Sequence, residues 1–175
     1  GRSHLAAMME VRDIQKVTVY DQRREAAKKY QKEMEEKYKI PVMVCDSVEE
    51  TVKGAEIICT VTPSKEPYLK AEWITPGAHI NAVGAFTPNT REIESSLMAK
   101  AKLYADQVEA MKKECGEYLI PKEEGLFGEE HITGSIGGIL AGKVPGREND
   151  TEITLFDALG LAVEDVACGR FLCRE

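Results

Sequence analysis

Between Ile14 and Ile153 short β-rich runs alternate with helical patterns. That alternation constrains the fold more than any other feature, because sandwiches and barrels place strand after strand with only turns between them. The predicted strands are Val17 to Asp21, Pro41 to Cys45, Ile57 to Thr62, His79 to Ala85, Lys102 to Asp106 and Ile153 to Phe156. Several are nearly continuous apolar runs, the pattern of parallel strands covered on both faces. With 43% hydrophobic and 30% charged residues in 175, composition suits one globular domain over residues 1–175 with no internal linker.

The first of these strands ends in a carboxylate, Asp21, about twenty residues after a glycine, as the second strand of a dinucleotide-binding βαβ unit does. An acid at that tip accepts hydrogen bonds from both hydroxyls of an adenosine ribose, so Asp21 is the first candidate cofactor contact. Residues Arg2 to Val11 already read as the helix that follows a phosphate loop. The expected fold is therefore α/β: a Rossmann-like, doubly wound, mostly parallel sheet with helices on both faces, truncated at its first strand.

The helix from Arg23 to Lys37 sets Ala26, Ala27, Tyr30 and Met34 on one side and a mixture of Lys, Arg and Glu on the other, most simply a solvated face. Asp46-Ser-Val-Glu-Glu50 reads as a capped helix start with acids in its first turn, ending at Gly54. A last amphipathic helix is predicted from about Ala158 to Cys173.

Composition also removes whole classes of function. The longest apolar runs, such as Ala55 to Thr62, fall far short of the roughly 20 residues that a membrane-spanning helix needs, and no basic-then-apolar leader is present. The expected location is cytoplasmic. A net charge of −7 opposes a duplex nucleic-acid partner; a small-molecule partner fits better. The five cysteines, Cys45, Cys59, Cys115, Cys168 and Cys173, contain no C-x-x-C pair, and no constellation of ligands suggests a metal.

Further cues cluster at predicted strand ends. Thr60-Val-Thr-Pro-Ser-Lys65 lies at the carboxyl end of its strand, where doubly wound sheets bind ligands, and Thr62 has a hydroxyl for a ribose or phosphate oxygen; the same residues also suit a plain turn. The strand from His79 runs into Gly84, where the backbone can come close to a flat group or simply bend. His79 sits at a strand entrance and His131 at a helix start, so both read as structural despite their useful pKa range.

Several of these segments also share a family pattern. Gly77-x-His-Ile-Asn-Ala-Val-Gly84, Arg91-Glu92, Asp106, Gly116-Glu117, Leu140-Ala-Gly-Lys-x-Pro-Gly-Arg147 and Ile153-Thr-Leu-Phe-Asp-x-Leu-Gly-Leu-Ala-x-Glu-Asp165 resemble, in order and spacing, the ornithine cyclodeaminase and mu-crystallin family. The resemblance runs over essentially the whole chain. It implies that Gly1 is the third glycine of the phosphate loop, with the first strand and an amino-terminal half for substrate and dimerisation upstream. It also implies a bound NAD, with NADP as the alternative, a full-length homodimer and an amino-acid or imine substrate. On the same basis the cofactor residues are Gly1, Asp21, Thr62, Val83, Gly84, Ala85, Phe86 and Ala158.

Three positions depart from the cyclodeaminase pattern. Phe86 stands where those enzymes have an acid-base aspartate, Thr90 replaces a lysine near the cofactor, and Ala158 replaces a serine near the nicotinamide. A phenyl ring cannot transfer a proton, so no catalytic side chain can be named. The departures favour an NAD(P)-dependent oxidoreductase acting on a C–N bond of a small amino acid or cyclic imino acid, such as a ketimine or pyrroline-carboxylate reductase. Ornithine cyclodeaminase, a lyase, and a non-catalytic binder of the mu-crystallin kind are the alternatives, and the fragment by itself is expected to be inactive.

Overall fold

A computed structural model describes residues 1–173. Its elements alternate as predicted: α1 (Arg2–Val11), β1 (Val17–Val19), α2 (Arg24–Tyr38), β2 (Val42–Val44), α3 (Val48–Val52), β3 (Ile57–Thr60), β4 (His79–Ala82), α4 (Ser95–Lys100), β5 (Lys102–Ala105), α5 (Val108–Glu114), α6 (Gly116–Glu123), β6 (Ile132–Ser135), α7 (Ile136–Leu140), β7 (Thr154–Asp157) and α8 (Ala162–Leu172). Every strand pair is parallel. The α/β, Rossmann-like class holds.

The strands do not form one sheet, however. β1 and β2 pair with each other, and the remaining strands form a second sheet in the order β3-β4-β7-β5-β6. The unpaired edges of β1 and β3 line a shared cleft of about 2260 Å³. Each sheet carries its own core. Leu5, Met34 and Val42 pack together with Tyr30, Val17 and Val19 around the small sheet. Ile58, Ile80, Leu103 and Leu155 anchor the large one, with Leu97, Met98, Met111 and Tyr118 from the helices over it.

Burial on both faces is restricted to the middle of the large sheet. In β3 and β4 the side chains alternate between buried and half-buried, so Cys59, His79 and Asn81 face the cleft while Ile58 and Ile80 face the core. His79 is fixed there by Thr154 Oγ1 at 2.8 Å and Asn81 Oδ1 at 3.3 Å, and burial pulls its pKa down. His131 closes a short 3-10 turn, stacks on Phe127 with centroids 4.3 Å apart and bonds the Met98 carbonyl at 2.8 Å.

Local signals placed the boundaries of α1, α2 and α3 to within a residue or two. Ser47 Oγ accepts the Glu50 N–H at 3.1 Å and caps α3, and Gly54 leaves that helix at φ +72°. The last helix is different: it begins at Ala162, because residues 158–161 run as a loop through Gly160 at φ +91°. Nor does α8 bury an apolar stripe, since Val163, Val166, Phe171 and Leu172 are all exposed. Residues 174 and 175, the end of the predicted 1–175 domain, lie outside the described residues. Among the described residues no helix is long and apolar enough to cross a membrane, and no three His, Cys, Asp or Glu side chains gather to hold a metal.

Candidate functional site

Parallel strands point their carboxyl ends the same way, and in the large sheet the ends of β3, β4 and β7 form one rim. Val83 N donates to the Thr60 carbonyl at 3.0 Å and Ala158 N to the Ala82 carbonyl at 3.0 Å, so the exits of the three strands stay in contact beyond the sheet. This rim carries Thr62, Val83, Gly84, Ala85, Phe86 and Ala158. Gly1 and Asp21 sit across from it: both, with Thr62, line the cleft, whereas Val83 to Phe86 and Ala158 do not. The predicted site residues thus fall into two groups, Gly1 and Asp21 beside the small sheet and the others at the rim of the large one.

Glu92, fully buried, organises the rim. Its Oε1 accepts from Thr62 N at 2.6 Å, Thr62 Oγ1 at 2.6 Å and Tyr68 Oη at 2.7 Å, and its Oε2 accepts from Gly84 N at 3.0 Å. Four donors match the roughly four acceptor positions of a carboxylate. Burial and the adjacent Glu92 charge hold the Tyr68 hydroxyl protonated, far above its ordinary range, which keeps it a donor. Because the Thr62 hydroxyl spends its proton on Glu92, it faces a ligand only as an acceptor; it can take a ribose hydroxyl's proton but offers nothing to a phosphate oxygen.

Gly84 owes its identity to this packing. A Cβ there would lie 2.2 Å from the Thr62 carbonyl oxygen, 2.4 Å from Thr62 N and 2.6 Å from Glu92 Oε2. The close approach that the sequence suggested is to the protein's own backbone and to a carboxylate. Beyond it the loop turns outward: Ala85 is buried and Phe86 is 63% exposed.

Behind Glu92 stands a second buried acid. Glu117 accepts from Glu92 N at 2.5 Å and Ile93 N at 3.2 Å. Burial pushes its pKa up to about 8 against the pull of those two N–H groups. Gly116, just before it, fits under Thr87, Pro88 and Thr90, whose carbonyls would lie 2.3 to 2.9 Å from any Cβ. Asp157, at the end of β7, is also pushed up, to about 7, chiefly by burial and then by Asp106 and Glu92; its Oδ2 accepts from Cys115 Sγ at 3.4 Å and its Oδ1 has no partner among the described residues. Asp106 receives the N–H of Gln107 at 2.6 Å and of Gly160 at 2.7 Å, holding the loop that carries Ala158.

Asp21 follows β1 and lines the cleft. Its Oδ1 accepts Arg23 N at 2.8 Å, an Asx-type turn, and lies 3.8 Å from Arg23 Nε. Arg24 turns away to pair with Asp46. Gly1 caps α1 beside the ring of Tyr30. Thr90 bonds only within its own turn, to Thr87.

Sequence reasoning missed the parts played by Glu92, Glu117 and Asp157. All three stand in the motifs above, yet a buried carboxylate announces itself only through partners, which here lie 8 to 42 residues away. For Glu92 the local sequence carried no such signal, because Asn89, Thr90, Arg91, Glu94 and Ser95 around it read as a polar surface stretch.

Comparison with known proteins agrees with this fold. A solved Thermococcus litoralis Δ1-pyrroline-2-carboxylate reductase, in complex with NADH and L-proline, superposes with a TM-score of 0.94 at 40% identity, covering 97% of this chain and 52% of that one. An archaeal alanine dehydrogenase dimer with bound NAD matches with a TM-score of 0.89 at 40% identity over 95% of this chain and 51% of its own. The mouse ketimine reductase mu-crystallin is 38% identical over 170 residues, 97% of this chain and 50% of that protein. The chain spans about half the length of the curated relatives it matches. The family profile matches residues 1–174, and the chain belongs to the ornithine cyclodeaminase/mu-crystallin family.

Proposed function

We propose that this chain is the dinucleotide-binding half of an NAD-dependent oxidoreductase that reduces the C=N bond of a small cyclic imino acid or ketimine. The observation that carries this reading is a set of strand ends: the carboxylate of Asp21 just after β1, and Thr62 and Gly84 just after β3 and β4, drawn together by Glu92 around a glycine that tolerates no side chain. An extended cofactor needs both, an acceptor for its ribose hydroxyls and a smooth backbone for its flat ring. The 40% identity to a reductase complexed with NADH supports it.

The residues present fit that cofactor. Asp21 would hold the adenosine ribose, Thr62 would accept from a hydroxyl, Val83 to Ala85 would lie under the nicotinamide with Ala158 beside it, and Gly1 would stand at the pyrophosphate on the α1 amino terminus. A reduced nicotinamide bound there supplies the hydride for the imine carbon. The chain's own part is to orient that ring and to keep it from water; Phe86 gives the rim an apolar face.

Phe86 also ranks the reactions. Glu92 and Glu117, the buried acids behind the rim that carries Phe86, spend their oxygens on backbone and hydroxyl donors, so neither is free for repeated proton transfers. Reducing a preformed imine, which arrives protonated or takes its proton from water, demands less than cyclodeamination, which must also expel ammonia. We place substrate binding and the homodimer contact in residues beyond this chain.

The test is to assay the complete native protein with NADH and Δ1-pyrroline-2-carboxylate, and separately with ornithine for ammonia. Imine-dependent NADH oxidation without ammonia release is expected. Robust ammonia release from ornithine would promote the lyase, and tight NADH binding with neither activity would point to a binder.

A further inference from the structure

We infer that Glu92 is a positioning residue for the cofactor: its carboxylate ties the loop after β3 to the loop after β4 and so sets the spacing of the two backbones that receive the nicotinamide end of the dinucleotide. The inference rests on the proposed dinucleotide binding and adds to it the residue that shapes the site without touching the ligand.

Three features carry it. First, the four donors come from both loops, Thr62 and Tyr68 on one side and Gly84 on the other, and among the described residues the last backbone bond of the ladder between these loops is that of Val83 N to Thr60. Second, Glu92 fastens the first loop with its backbone as well, since its carbonyl accepts Tyr68 N at 2.8 Å and Leu69 N at 2.9 Å. Third, the glutamate is itself held: Glu117 grips the Glu92 and Ile93 N–H groups, both acids are buried, and among the described residues no Lys or Arg pairs with Glu92. A buried carboxylate without a counter-ion is held by hydrogen bonds alone, so its geometry is dictated by its donors and theirs by it.

The chemistry of the side chain is specific. An amide at this position has one acceptor oxygen and a donor NH2 that must face Thr62 or Gly84 N–H, donor against donor. Glu92→Gln should therefore part the loops while the cores, which Glu92 does not build, persist. A role confined to stability would lower the unfolding midpoint and leave cofactor affinity in the folded protein alone.

The experiment measures NADH affinity of the complete native protein by nicotinamide fluorescence at a temperature where far-UV circular dichroism shows each variant folded, together with steady-state kinetics. For Glu92→Gln we expect NADH binding weaker by roughly tenfold, the scale of one lost charge-assisted hydrogen bond, with KM for NADH rising more than kcat falls. Tyr68→Phe, which deletes one donor and keeps the ring, should weaken binding by about threefold and serves as the deciding variant if Glu92→Gln does not fold. Binding within twofold of wild type in a folded Glu92→Gln, or unchanged binding in Tyr68→Phe where that variant decides, overturns the inference. A wild-type protein that binds no NADH would instead defeat the proposed function on which it stands.

Discussion

The Glu117 carboxylate accepts the backbone N–H of Glu92 at 2.5 Å, so one buried acid holds the main chain from which a second buried acid reaches out to Thr62 and Gly84. Two acids in series, neither paired with a cation among the described residues, connect α6 to the rim of the sheet.

That relationship has a pH signature. Glu117 and Asp157 have folded-state pKa values raised to about 8 and about 7 from 4.5 and 3.8. Each group binds its proton more tightly in the folded chain than in the unfolded one. The resulting stabilisation is complete below about pH 4 and is lost as pH climbs through 7 for Asp157 and 8 for Glu117, at up to about 1.4 kcal/mol per pH unit for each group. Thermal unfolding should therefore show a falling midpoint from pH 5 to pH 8.5, and Asp157→Asn should flatten the part below pH 7. A midpoint that rises over this range contradicts the assignment.

Gly84 and Gly54 should respond oppositely to alanine. At Gly84 the new methyl meets Thr62 backbone atoms and Glu92 within 2.6 Å, so Gly84→Ala should cost about 1–3 kcal/mol or more in denaturant unfolding, as overpacking does, and should abolish NADH binding. Gly54 has open space around it and only its φ of +72° to protect, so Gly54→Ala should cost about 1 kcal/mol and leave NADH binding intact.

Cofactor choice should follow Asp21. One of its oxygens is committed to Arg23 N, and the negative charge that remains at the cleft repels a 2'-phosphate. Titration of the complete protein should give tighter binding of NADH than of NADPH, and Asp21→Ser should narrow the ratio by about tenfold. Tighter NADPH binding by the wild type would show that Arg23, whose side chain is largely exposed, turns to meet the phosphate.

Phe86→Asp should damage imine reduction without producing appreciable ammonia from ornithine. The new carboxylate would replace an exposed apolar face, and it would lack the lysine and serine whose places Thr90 and Ala158 occupy. General acid-base catalysis is worth roughly 100- to 10,000-fold, so a turnover assay separates the outcomes; ammonia release rising to that degree would mean that a lone acid suffices.

Local sequence carried the strand and helix order wherever signals were local. β1 to β5 and β7 stood out as short apolar runs, and Ser47 and Gly54 marked the ends of α3 as capping rules require. β6 was missed because Thr133 and Gly134 interrupt its apolar run; Gly134, at φ +157°, fits against Val144, a contact ten residues away. Ala158 read as helix because its apolar neighbours follow a helical period, yet the bond from Gly160 N to Asp106 pulls that stretch into a loop. The division into two sheets was illegible for a related reason, since pairing is a non-local choice that periodicity does not encode. The cofactor residues were legible as strand-end punctuation, whereas the acids that position them depend on burial, which no single motif displays.

The cleft has a practical consequence for anyone handling this segment by itself. β1 and β3 each leave a row of backbone donors and acceptors facing the same gap, and such rows are templates for any extended peptide that meets them. With Val163, Val166, Phe171 and Leu172 also open to solvent on α8, the isolated 175-residue polypeptide should be adhesive at high concentration, and soluble preparations should favour dilute buffer or a co-expressed strand that satisfies both edges at once.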